Sequence, residues 1–597
     1  MQIQKQKIPE FNKEDFIAGV APYEWLTQYD NAPLLYQQFA LQLKDIAASF
    51  GIKNFMTLLK AYKQSINNSN RQYDMNYTEF DGQELQLLTG EWICDDYGVN
   101  IGSMLGEIQA CNHPIMPIQR LVNIDSGVEK LKIAYKKGNL WRSIIVDKQT
   151  LASSNKILQL ADYGVAVNSE NAKYLVKYLT DIEHLNYNTI PELHSVSRLG
   201  WVEDYGFSPY VDNIVFDGDV SFKHFFESVK EKGDFEKWKK FCIEARKHGV
   251  AAKILLASSF ASVLVDVCDK LPFFLHLFGG AGAGKTVGLM LAASVWANPA
   301  IGKYIHNFNS TQVAQELSAG FVNSMPLLLD ELQIIKDRKT FDDIIYQLAQ
   351  GEGRLRGQKT GGLQKTMTWK NCILTTGENP IVNEISGAGA MNRVIEIDCK
   401  EMKIFRDPVN AVETLKDNYG FAGRLFVEWL QEEENKEKVR KMQKQYQDIL
   451  SYCDTTDKQA SSASLILTAD TIITELFFND DNVLSVEELS GFLVSKKLAS
   501  INDRAYDYLK DFISINLSKF TPQEFTAETW GRTFDGGVYI IKSKFDEIMA
   551  AKGYNSAGFL SWARSNGIIQ TDSSGKNTIL QRINGRPTRC VSVKMDD

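Results

Sequence analysis

The order of apolar and polar positions divides the chain into four regions. Helical spacing marks the first region, whereas the second mixes strand-like pieces at 131–135 and 141–146 with a helix over 170–182. The third repeats strand, glycine-rich turn, helix and strand, which is typical of an α/β nucleotide-binding core. The fourth joins short helices to strand-like segments. The predicted domains are a helical region 1–76, a mixed α/β domain 77–232, an α/β core 233–450 and a C-terminal domain 460–597.

Composition adds limits on the class of protein. The 597 residues are 44% hydrophobic and 23% charged, which excludes a disordered, collagen-like or coiled-coil chain. The net charge is −8, so any nucleic-acid surface must be local. Eight cysteines without a CxxC pair favour reduced thiols over disulfides. There is no secretory pattern, and the longest apolar stretch, 254–268, is broken by three serines and Asp266. We therefore expect a soluble cytoplasmic protein without membrane contact.

A phosphate-binding loop is the clearest motif. An apolar strand at 273–278 is followed by GGAGAGKT at 279–286 and by a predicted helix at 287–296. In this context the glycines let backbone N–H groups surround the β- and γ-phosphates at the helix N-terminus. Lys285 would neutralise phosphate charge and Thr286 would ligate Mg²⁺. With ATP and Mg²⁺ as cofactors, the predicted nucleotide-binding residues are Gly279, Gly280, Ala281, Gly282, Ala283, Gly284, Lys285 and Thr286.

Two adjacent carboxylates end the next apolar segment, PLLLDE at 326–331. Asp330 would hold the Mg²⁺ shell and Glu331 would polarise the attacking water as a general base. The alternative is a solvated strand end. Following a phosphate loop at this distance, the pair favours an ATPase with its own base over a small-molecule kinase or a GTPase.

A further strand, 372–376, ends in GENP at 377–380. A polar side chain here would lie between the phosphate loop and the carboxylates and orient water at the γ-phosphate. Thr376 and Asn379 are both candidates, and the sequence does not choose between them. A simple turn is the alternative.

Two arginines are candidates for contacts with phosphate. Arg393 precedes a predicted strand at 394–397 and would reach across a subunit boundary to stabilise charge on a neighbour's ATP. The alternative is a surface arginine. Arg424, in a helical segment after the core, is a weaker candidate for a second phosphate sensor.

Two basic segments stand out in an acidic chain. Residues 351–370 hold five basic residues and one acidic residue, a local charge of +4, and Gly361-Gly362 predicts a hairpin turn. Such a hairpin would line the channel of a ring and contact the DNA backbone, with a solvated loop as the alternative. The predicted contacts are Arg354, Arg356, Lys359 and Lys365.

The second basic segment is 551–597, with seven basic and three acidic residues, again +4. A helix at 558–566 followed by a β-hairpin, with a turn predicted at 573–576, fits a winged-helix module. Such modules bind DNA with a helix and a basic wing, although some serve as protein contacts. Here the predicted DNA contacts are Lys576, Arg582 and Arg586.

Taken together, these residues resemble an MCM-like AAA+ ATPase, and more closely the Cch and Rep self-loading replication helicases of staphylococcal cassette chromosomes and pathogenicity islands. The resemblance runs from about residue 90 to the C-terminus and includes RLGW at 198–201, Trp369 before ILTTGENP, and YGFAGRLFVEWL at 419–430. It implies a multidomain α/β fold: an AAA+ core (P-loop, parallel sheet with flanking helices), an α+β N-terminal region and a C-terminal winged-helix-like domain.

The resemblance also implies an activity. The chain would form a homo-hexamer that hydrolyses ATP between subunits and moves 3′ to 5′ on single-stranded and forked DNA to replicate a mobile element. Element-encoded replication proteins would be further partners. Lys285, Thr286, Asp330 and Glu331 match the family, whereas Asn-Arg-Val around Arg393 differs from the Ser-Arg-Phe of MCM proteins. GENP also has one residue more than the MCM pattern.

Two other functions fit parts of the pattern. One is a DNA-binding replication initiator that uses ATP as a switch and unwinds nothing. The other is an AAA+ protein remodeller, but its pore loop usually carries an aromatic residue, which 351–365 lacks.

Overall fold

In the computed structural model the chain forms two compact units, Met1–Ser195 and Val196–Asp597. Lys359, Lys365 and the Gly361-Gly362 turn lie outside the residues that the structure describes. Those described are 7–69, 76–103, 106–307, 311–331, 338–357, 366–383, 386–400, 403–521 and 528–595.

Four helices begin the first unit: α1 (Lys13–Ile17), α2 (Ala21–Thr27), α3 (Pro33–Ser49) and α4 (Phe55–Ser69). Asn12 and Asp15 form a capping box that fixes the start of α1, because each side chain accepts a backbone N–H of the other residue. The helices enclose an aromatic-rich core that includes Phe16, Tyr23 and Phe55. Helices thus cover most of 13–69, within the stretch for which the sequence predicts a helical region.

Antiparallel strands make up most of the rest of this unit. The first three, β1 (Trp92–Asp95), β2 (Gly98–Ser103) and β3 (Gly106–Cys111), pair in chain order. The next three, β4 (Ile115–Asn123), β5 (Glu129–Lys137) and β6 (Leu140–Asp147), also pair in chain order, and β7 (Glu192–Val196) joins β4 in parallel. Between them lie α5 (Lys148–Leu151) and α6 (Ala172–Leu185), and α6 buries Leu175, Tyr178 and Ile182 in a core shared with the strands.

Short strands and long helices open the second unit. They are β8 (Gly200–Val202), β9 (Gly206–Ser208), β10 (Val215–Phe216), α7 (Val220–Phe226), α8 (Phe235–His248) and α9 (Val250–Val267). Leu199, Phe207 and Phe225 are buried in the same hydrophobic core as α9 and the sheet that follows.

A parallel five-stranded sheet lies at the centre of this unit. Its elements are β11 (Phe273–Phe278), α10 (Lys285–Ser294), β12 (His306–Asn307), α11 (Gln312–Val322), β13 (Leu327–Asp330), α12 (Arg338–Leu348), β14 (Cys372–Gly377), α13 (Ala388–Met391) and β15 (Val394–Asp398). The strand order is β12-β13-β14-β11-β15. Strands β11, β13 and β14 are buried along their whole length, as expected for a parallel sheet covered on both faces. The predicted parallel sheet with flanking helices is confirmed.

Helices complete this core: α14 (Pro408–Asp417), α15 (Phe421–Gln431), α16 (Glu433–Ser451), α17 (Asp457–Ile473), α18 (Val486–Ser490) and α19 (Lys496–Ala499). A fully buried ion pair between Arg246 and Asp470 joins α8 to α17. Among the described residues, Val250–Val267 and Asp457–Phe478 are long and apolar enough to cross a membrane by composition alone. Most of each is buried inside the protein, which accounts for its apolar character.

The C-terminal domain has its own hydrophobic core, which includes Leu509, Phe545 and Phe559. Its elements are α20 (Ile501–Ile515), β16 (Gly531–Phe534), β17 (Gly537–Ile541), α21 (Lys542–Ala551), α22 (Ser556–Ser565), β18 (Ile569–Gln570), β19 (Ile579–Ile583) and β20 (Arg586–Lys594). Strands β17, β18 and β19 all pair with β20. Three helices followed by a β-hairpin agree with the predicted winged-helix-like domain.

A turn is present at 573–576, where the Gly575 N–H donates to the Asp572 carbonyl, but the prediction that it closes the hairpin is wrong. The hairpin of β19 and β20 turns at Asn584-Gly585, where φ is +48° and +77°. Two successive left-handed residues match the twist of paired strands, and Asn-Gly is the sequence best suited to them. Residues 573–576 instead belong to a loop in which the Asp572 carboxylate accepts the N–H groups of Ser574 and Lys576.

Candidate nucleotide site

A pocket of about 380 Å³ opens where the carboxyl ends of β11, β13 and β14 meet. It is lined by the phosphate loop, by the end of β13 and by the end of β14. The residues that line it are Ala281, Gly282, Gly284, Lys285, Thr286, Val287, Asp330, Glu331, Thr376, Gly377, Glu378 and Pro408. Side chains predicted from three separate motifs are thus brought together in one place.

The phosphate loop has the backbone that its glycines allow. Gly282 and Gly284 have φ of +82° and +88°, in the left-handed region that favours glycine. Gly284 is the residue before α10, so the N–H groups of the first turn of α10 face the pocket. Lys285 Nζ donates to the carbonyls of Gly279 and Gly280, both at 2.8 Å. The loop therefore combines free helix N–H groups with an ammonium group, which fits a polyphosphate.

Oxygen donors suited to Mg²⁺ lie beside this loop. Thr286 Oγ1 donates to Asp330 Oδ1 at 3.3 Å, and Asp330 is 7% exposed. A hydroxyl and a carboxylate are the hard oxygen ligands that Mg²⁺ prefers, together with water and phosphate. Among the described residues, no group of three or more His, Cys, Asp or Glu side chains is arranged to hold a metal ion by itself. The pair Thr286 and Asp330 therefore fits a metal ion that is also held by phosphates.

Thr376 connects the two carboxylate positions. Its hydroxyl donates to Asp330 Oδ1 and accepts the backbone N–H of Glu331 at 3.2 Å. Glu331 has φ of +62°, a left-handed conformation that is uncommon for a residue other than glycine. The hydrogen bond that the Glu331 N–H donates to Thr376 holds the backbone of Glu331 in this conformation at the rim of the pocket.

Of the two sensor candidates, only Thr376 lines the pocket. Asn379 is exposed, and its backbone carbonyl accepts a hydrogen bond from His276 Nε2 at 3.0 Å. Because a carbonyl can only accept, Nε2 carries the proton and Nδ1 accepts the Thr375 hydroxyl at 2.8 Å. Burial lowers the pKa of His276 to about 4, so the ring is neutral at pH 7.

A carboxylate holds the chain just after this turn. Glu396 on β15 accepts the N–H groups of Ile381 at 2.7 Å and Val382 at 3.4 Å. Burial raises the pKa of Glu396 to about 7, against the lowering effect of these two hydrogen bonds. His276 and Glu396 were not among the predicted residues. In the sequence, both are titratable residues inside an otherwise apolar strand, His276 in β11 and Glu396 in β15, and this pattern could have identified them.

Arg393 lies at the amino ends of the strands, whereas the pocket lies at their carboxyl ends. It directly precedes β15, which runs parallel to β11 with Val394 beside Phe274. Arg393 is therefore level with the first residue of β11, six residues or about 20 Å at 3.3 Å per residue from the start of the phosphate loop. Its guanidinium donates to the Gly389 carbonyl at 2.7 Å and lies 5.3 Å from the centre of the Tyr346 ring. The structure therefore does not bring Arg393 to the pocket of its own chain.

Arg424 is also distant from this pocket. On α15 it pairs with Glu428 of the same helix at 2.8 Å and with Glu231, which precedes α8, at 3.7 Å. The neighbouring Gly423 donates to the carbonyl of Val295, just after α10 ends. The phosphate loop is at the other end of α10, about 14 Å away at 1.5 Å per residue.

The described part of the basic hairpin is its base. Glu352 pairs with Thr368 in an antiparallel bridge, and Gly353 donates to the Met367 carbonyl at 2.9 Å. Arg356 pairs with Glu316 on α11, and Arg354 approaches the same carboxylate at 4.0 Å. Glu316 is 3% exposed and also accepts the Gln347 amide. Arg356, a predicted DNA contact, thus pairs with a buried carboxylate that the sequence analysis did not identify, whereas the side chain of Arg354 stays 61% exposed.

On the C-terminal domain the predicted contacts are at the surface. Arg582 and Arg586 flank the Asn584-Gly585 turn, and Lys576 lies in the loop before β19. All three side chains are exposed. This hairpin, residues 579–594, is called the wing below.

Comparisons with known proteins agree with this architecture. Residues 500–597 match the family model of the Cch helix turn helix domain, and residues 92–369 match a domain of unknown function, DUF927. A solved structure described as "SCCmec type IV Cch - active helicase" is 18% identical, with a TM-score of 0.62 over 85% of this chain and 97% of that one. The chain has the Cch fold. The resemblance to Cch that the motifs indicate is thereby confirmed for the fold and for the C-terminal domain.

Two further comparisons concern another solved structure and the curated proteins. "The A form apo structure of NrS-1 C terminal region-CTR" is 11% identical over 79% of this chain and 95% of that one. Its TM-score of 0.29 is too low to indicate a shared fold. No curated protein matches the chain.

Proposed function

We propose that the chain is an ATP-driven DNA helicase of the AAA+ class, that it acts as a homo-hexameric ring in the cytoplasm, and that it serves the replication of a mobile genetic element. The observation that carries this proposal is a divided site. Lys285, Thr286 and Glu331 share one pocket, and no described residue that lines it is an arginine. Arg393 lies one strand length away, where it would serve the pocket of a neighbouring subunit.

Each side chain of the pocket has a role in this proposal. The phosphates would bind the loop and the N-terminus of α10, with Lys285 moving from its carbonyl partners to phosphate. Mg²⁺, held by Thr286 and Asp330, would neutralise phosphate charge. Glu331 would accept a proton from the attacking water, and Thr376 would keep the two carboxylates in place.

The polynucleotide would follow the basic surfaces. We infer that Lys359 and Lys365 contact single-stranded DNA in a central channel and that the wing contacts duplex DNA at a fork. We further propose movement from 3′ to 5′ and partnership with element-encoded replication proteins, as the resemblance of the sequence motifs implies. The solved Cch is described as an active helicase, which supports the same activity here.

A strand-displacement assay tests the proposal. Forked substrates with a free 3′ or a free 5′ tail are incubated with the full chain, with and without ATP. We expect ATP-dependent displacement on the substrate that offers a 3′ tail, and none from Glu331→Gln, which should bind ATP and hydrolyse it slowly. Lys285→Ala is the control that removes nucleotide binding.

Other outcomes identify other functions. ATP-dependent DNA binding without displacement on either substrate would indicate the initiator that uses ATP as a switch. Normal turnover by Glu331→Gln would exclude Glu331 as the base.

A further inference from the structure

The segment that carries Arg393, residues 386–394, is held by side chains from three different helices. It consists of a Ser-Gly turn, the short helix α13 and the first residue of β15. Within it, Arg393 is bound to the Gly389 carbonyl, so the place of the guanidinium depends on the path of this backbone. The side chains that fix that path therefore affect where the arginine is presented.

The first support comes from α12, inside the ATPase core. The Asp342 carboxylate accepts the Ser386 hydroxyl at 3.0 Å and the Gly387 N–H at 3.1 Å. Tyr346, one turn later, packs against the segment so closely that a Cβ on Gly389 would lie 2.5 Å from its hydroxyl. This face of the segment has no space to move inward.

The second support is Gln459 on α17, which is fully buried. Its Nε2 donates to the carbonyls of Met391 at 2.9 Å and Val394 at 2.6 Å, on either side of Arg393. Its Oε1 accepts the Val494 N–H at 2.7 Å, just before α19. The backbone around Arg393 is thus tied to helices that lead into the C-terminal domain.

The third support comes from the C-terminal domain itself. Arg504 lies in the first turn of α20, and only 9% of it is exposed. Its Nη2 donates to the Ser386 carbonyl at 2.6 Å and its Nη1 to the Asn383 carbonyl at 3.2 Å. A charged donor that is removed from water binds backbone carbonyls more strongly than a neutral one. These bonds join the helix that begins the domain to the segment that ends at Arg393.

We propose that Arg504 is a positioning residue for Arg393, through which the C-terminal domain sets the arginine that a subunit presents to its neighbour's ATP. The proposal rests on the proposed function, in which Arg393 acts in trans. A C-terminal domain that moves when it binds DNA would then pull or release residues 383–391. Arg504 is not among the residues that line the nucleotide pocket of its own chain.

Replacement of Arg504 should lower turnover without affecting nucleotide binding. For Arg504→Ala in the full chain we expect kcat for ATP to fall at least about tenfold, because a misplaced catalytic group loses about that much or more. The KM for ATP and the affinity for a labelled nucleotide should stay unchanged, since the phosphate loop is distant. Arg504→Lys, which keeps one charged donor, should recover part of kcat. Lys497→Ala, which removes an exposed lysine from the preceding helix, is the control.

Mixing two inactive variants separates this role from a structural one. In a ring of Arg504→Ala and Glu331→Gln subunits mixed one to one, about a quarter of the seams would join an intact Glu331 to a subunit with an intact Arg504. The mixture should therefore hydrolyse ATP faster than either variant alone. A defect in folding, or in the pocket of the same subunit, gives no such recovery.

The same mixture with Arg393→Ala in place of Arg504→Ala tests the proposed function on its own. Recovery with Arg393→Ala but not with Arg504→Ala would overturn the role of Arg504 and leave the shared site intact. Failure of both mixtures would overturn action in trans and the proposed function with it. Wild-type turnover by Arg504→Ala, or a loss of turnover by Arg504→Lys accompanied by a lower melting temperature, would also overturn the positioning role.

Discussion

The basic segments 351–370, which includes the hairpin base, and 551–597, which includes the wing, have the same net charge in sequence and differ in structure. Both segments carry +4. At the hairpin base, Arg354 and Arg356 face Glu316, which is 3% exposed. On the wing, no ion pair within the described residues holds Arg582 or Arg586. A charge count therefore gives only the number of cationic side chains in a segment. A cationic side chain that pairs with a buried carboxylate is less available to DNA than one without such a partner.

Desolvation explains the difference. A carboxylate as buried as Glu316 is unstable unless cations and hydrogen-bond donors surround it. Arg356 and Gln347 supply them. The wing hairpin is closed by a turn at the surface, and its arginines have no buried anion to satisfy. We therefore expect the hairpin-base arginines to act mainly on stability and the wing arginines mainly on binding.

The largest effect is expected from Arg356→Ala. It leaves the buried Glu316 carboxylate without its closest cation, so the free energy of unfolding should fall by about 3 kcal/mol. Chemical denaturation measures this change. The salt dependence of single-strand binding should remain that of the wild type.

The control for this prediction is the double variant Glu316→Gln with Arg356→Ala, which removes the buried charge along with its partner. It should recover most of the lost stability. A stable Arg356→Ala protein with a reduced salt slope would reverse the comparison and make Arg356 a DNA contact.

An intermediate effect is expected from the wing. The double variant Arg582→Ala with Arg586→Ala should bind duplex DNA about tenfold more weakly, and the slope of log K against log salt should fall by about 1.8, or 0.9 for each lost phosphate contact. Titration at several salt concentrations measures both. Unfolding should be unchanged, and Lys441→Ala on α16, which removes an exposed lysine, should leave binding unchanged. An unchanged slope would assign the wing to protein contacts.

The smallest effect is expected from the far part of the hairpin. Lys359→Ala with Lys365→Ala should weaken single-strand binding by about fivefold and lower its salt slope by about 1.4, or 0.7 for each contact. The matched control is Arg354→Ala at the hairpin base, which should change the slope less. Equal slopes for the two variants would remove the distinction between the base and the remainder of the hairpin.

The sequence predicts best what depends on neighbouring residues. The strand 273–278 coincides with β11, and the segment before Asp330 coincides with β13 except at its first residue. Both are continuous apolar runs beside a glycine-rich or acidic end, so local pattern alone defines them. The Asn584-Gly585 turn is an equally local signal. The serines and glycine at 573–576 also predict a turn, and the sequence alone does not show which of the two turns joins the paired strands.

Contacts between distant residues are not predictable in this way. The choice of Thr376 over Asn379 as a pocket residue depends on the register of β13 against β14, which places Leu329 beside Thr375. The pair of Arg356 and Glu316 joins residues 40 positions apart, and a lone glutamate on a helix gives no sign that it is buried. The roles of the site residues and the domain bounds stay predictions.

The side chain of Gln459 restricts what evolution or a designer can place at its position. The same amide faces two backbone acceptors and one backbone donor. Glutamate would aim a negative oxygen at two carbonyls, and lysine or arginine would offer the Val494 N–H no acceptor. At this buried position, only a primary amide on a two-carbon stem can donate to the two carbonyls and also accept the Val494 N–H. Replacement of the amide nitrogen by oxygen would therefore weaken the contact between β15, which begins after Arg393, and α17.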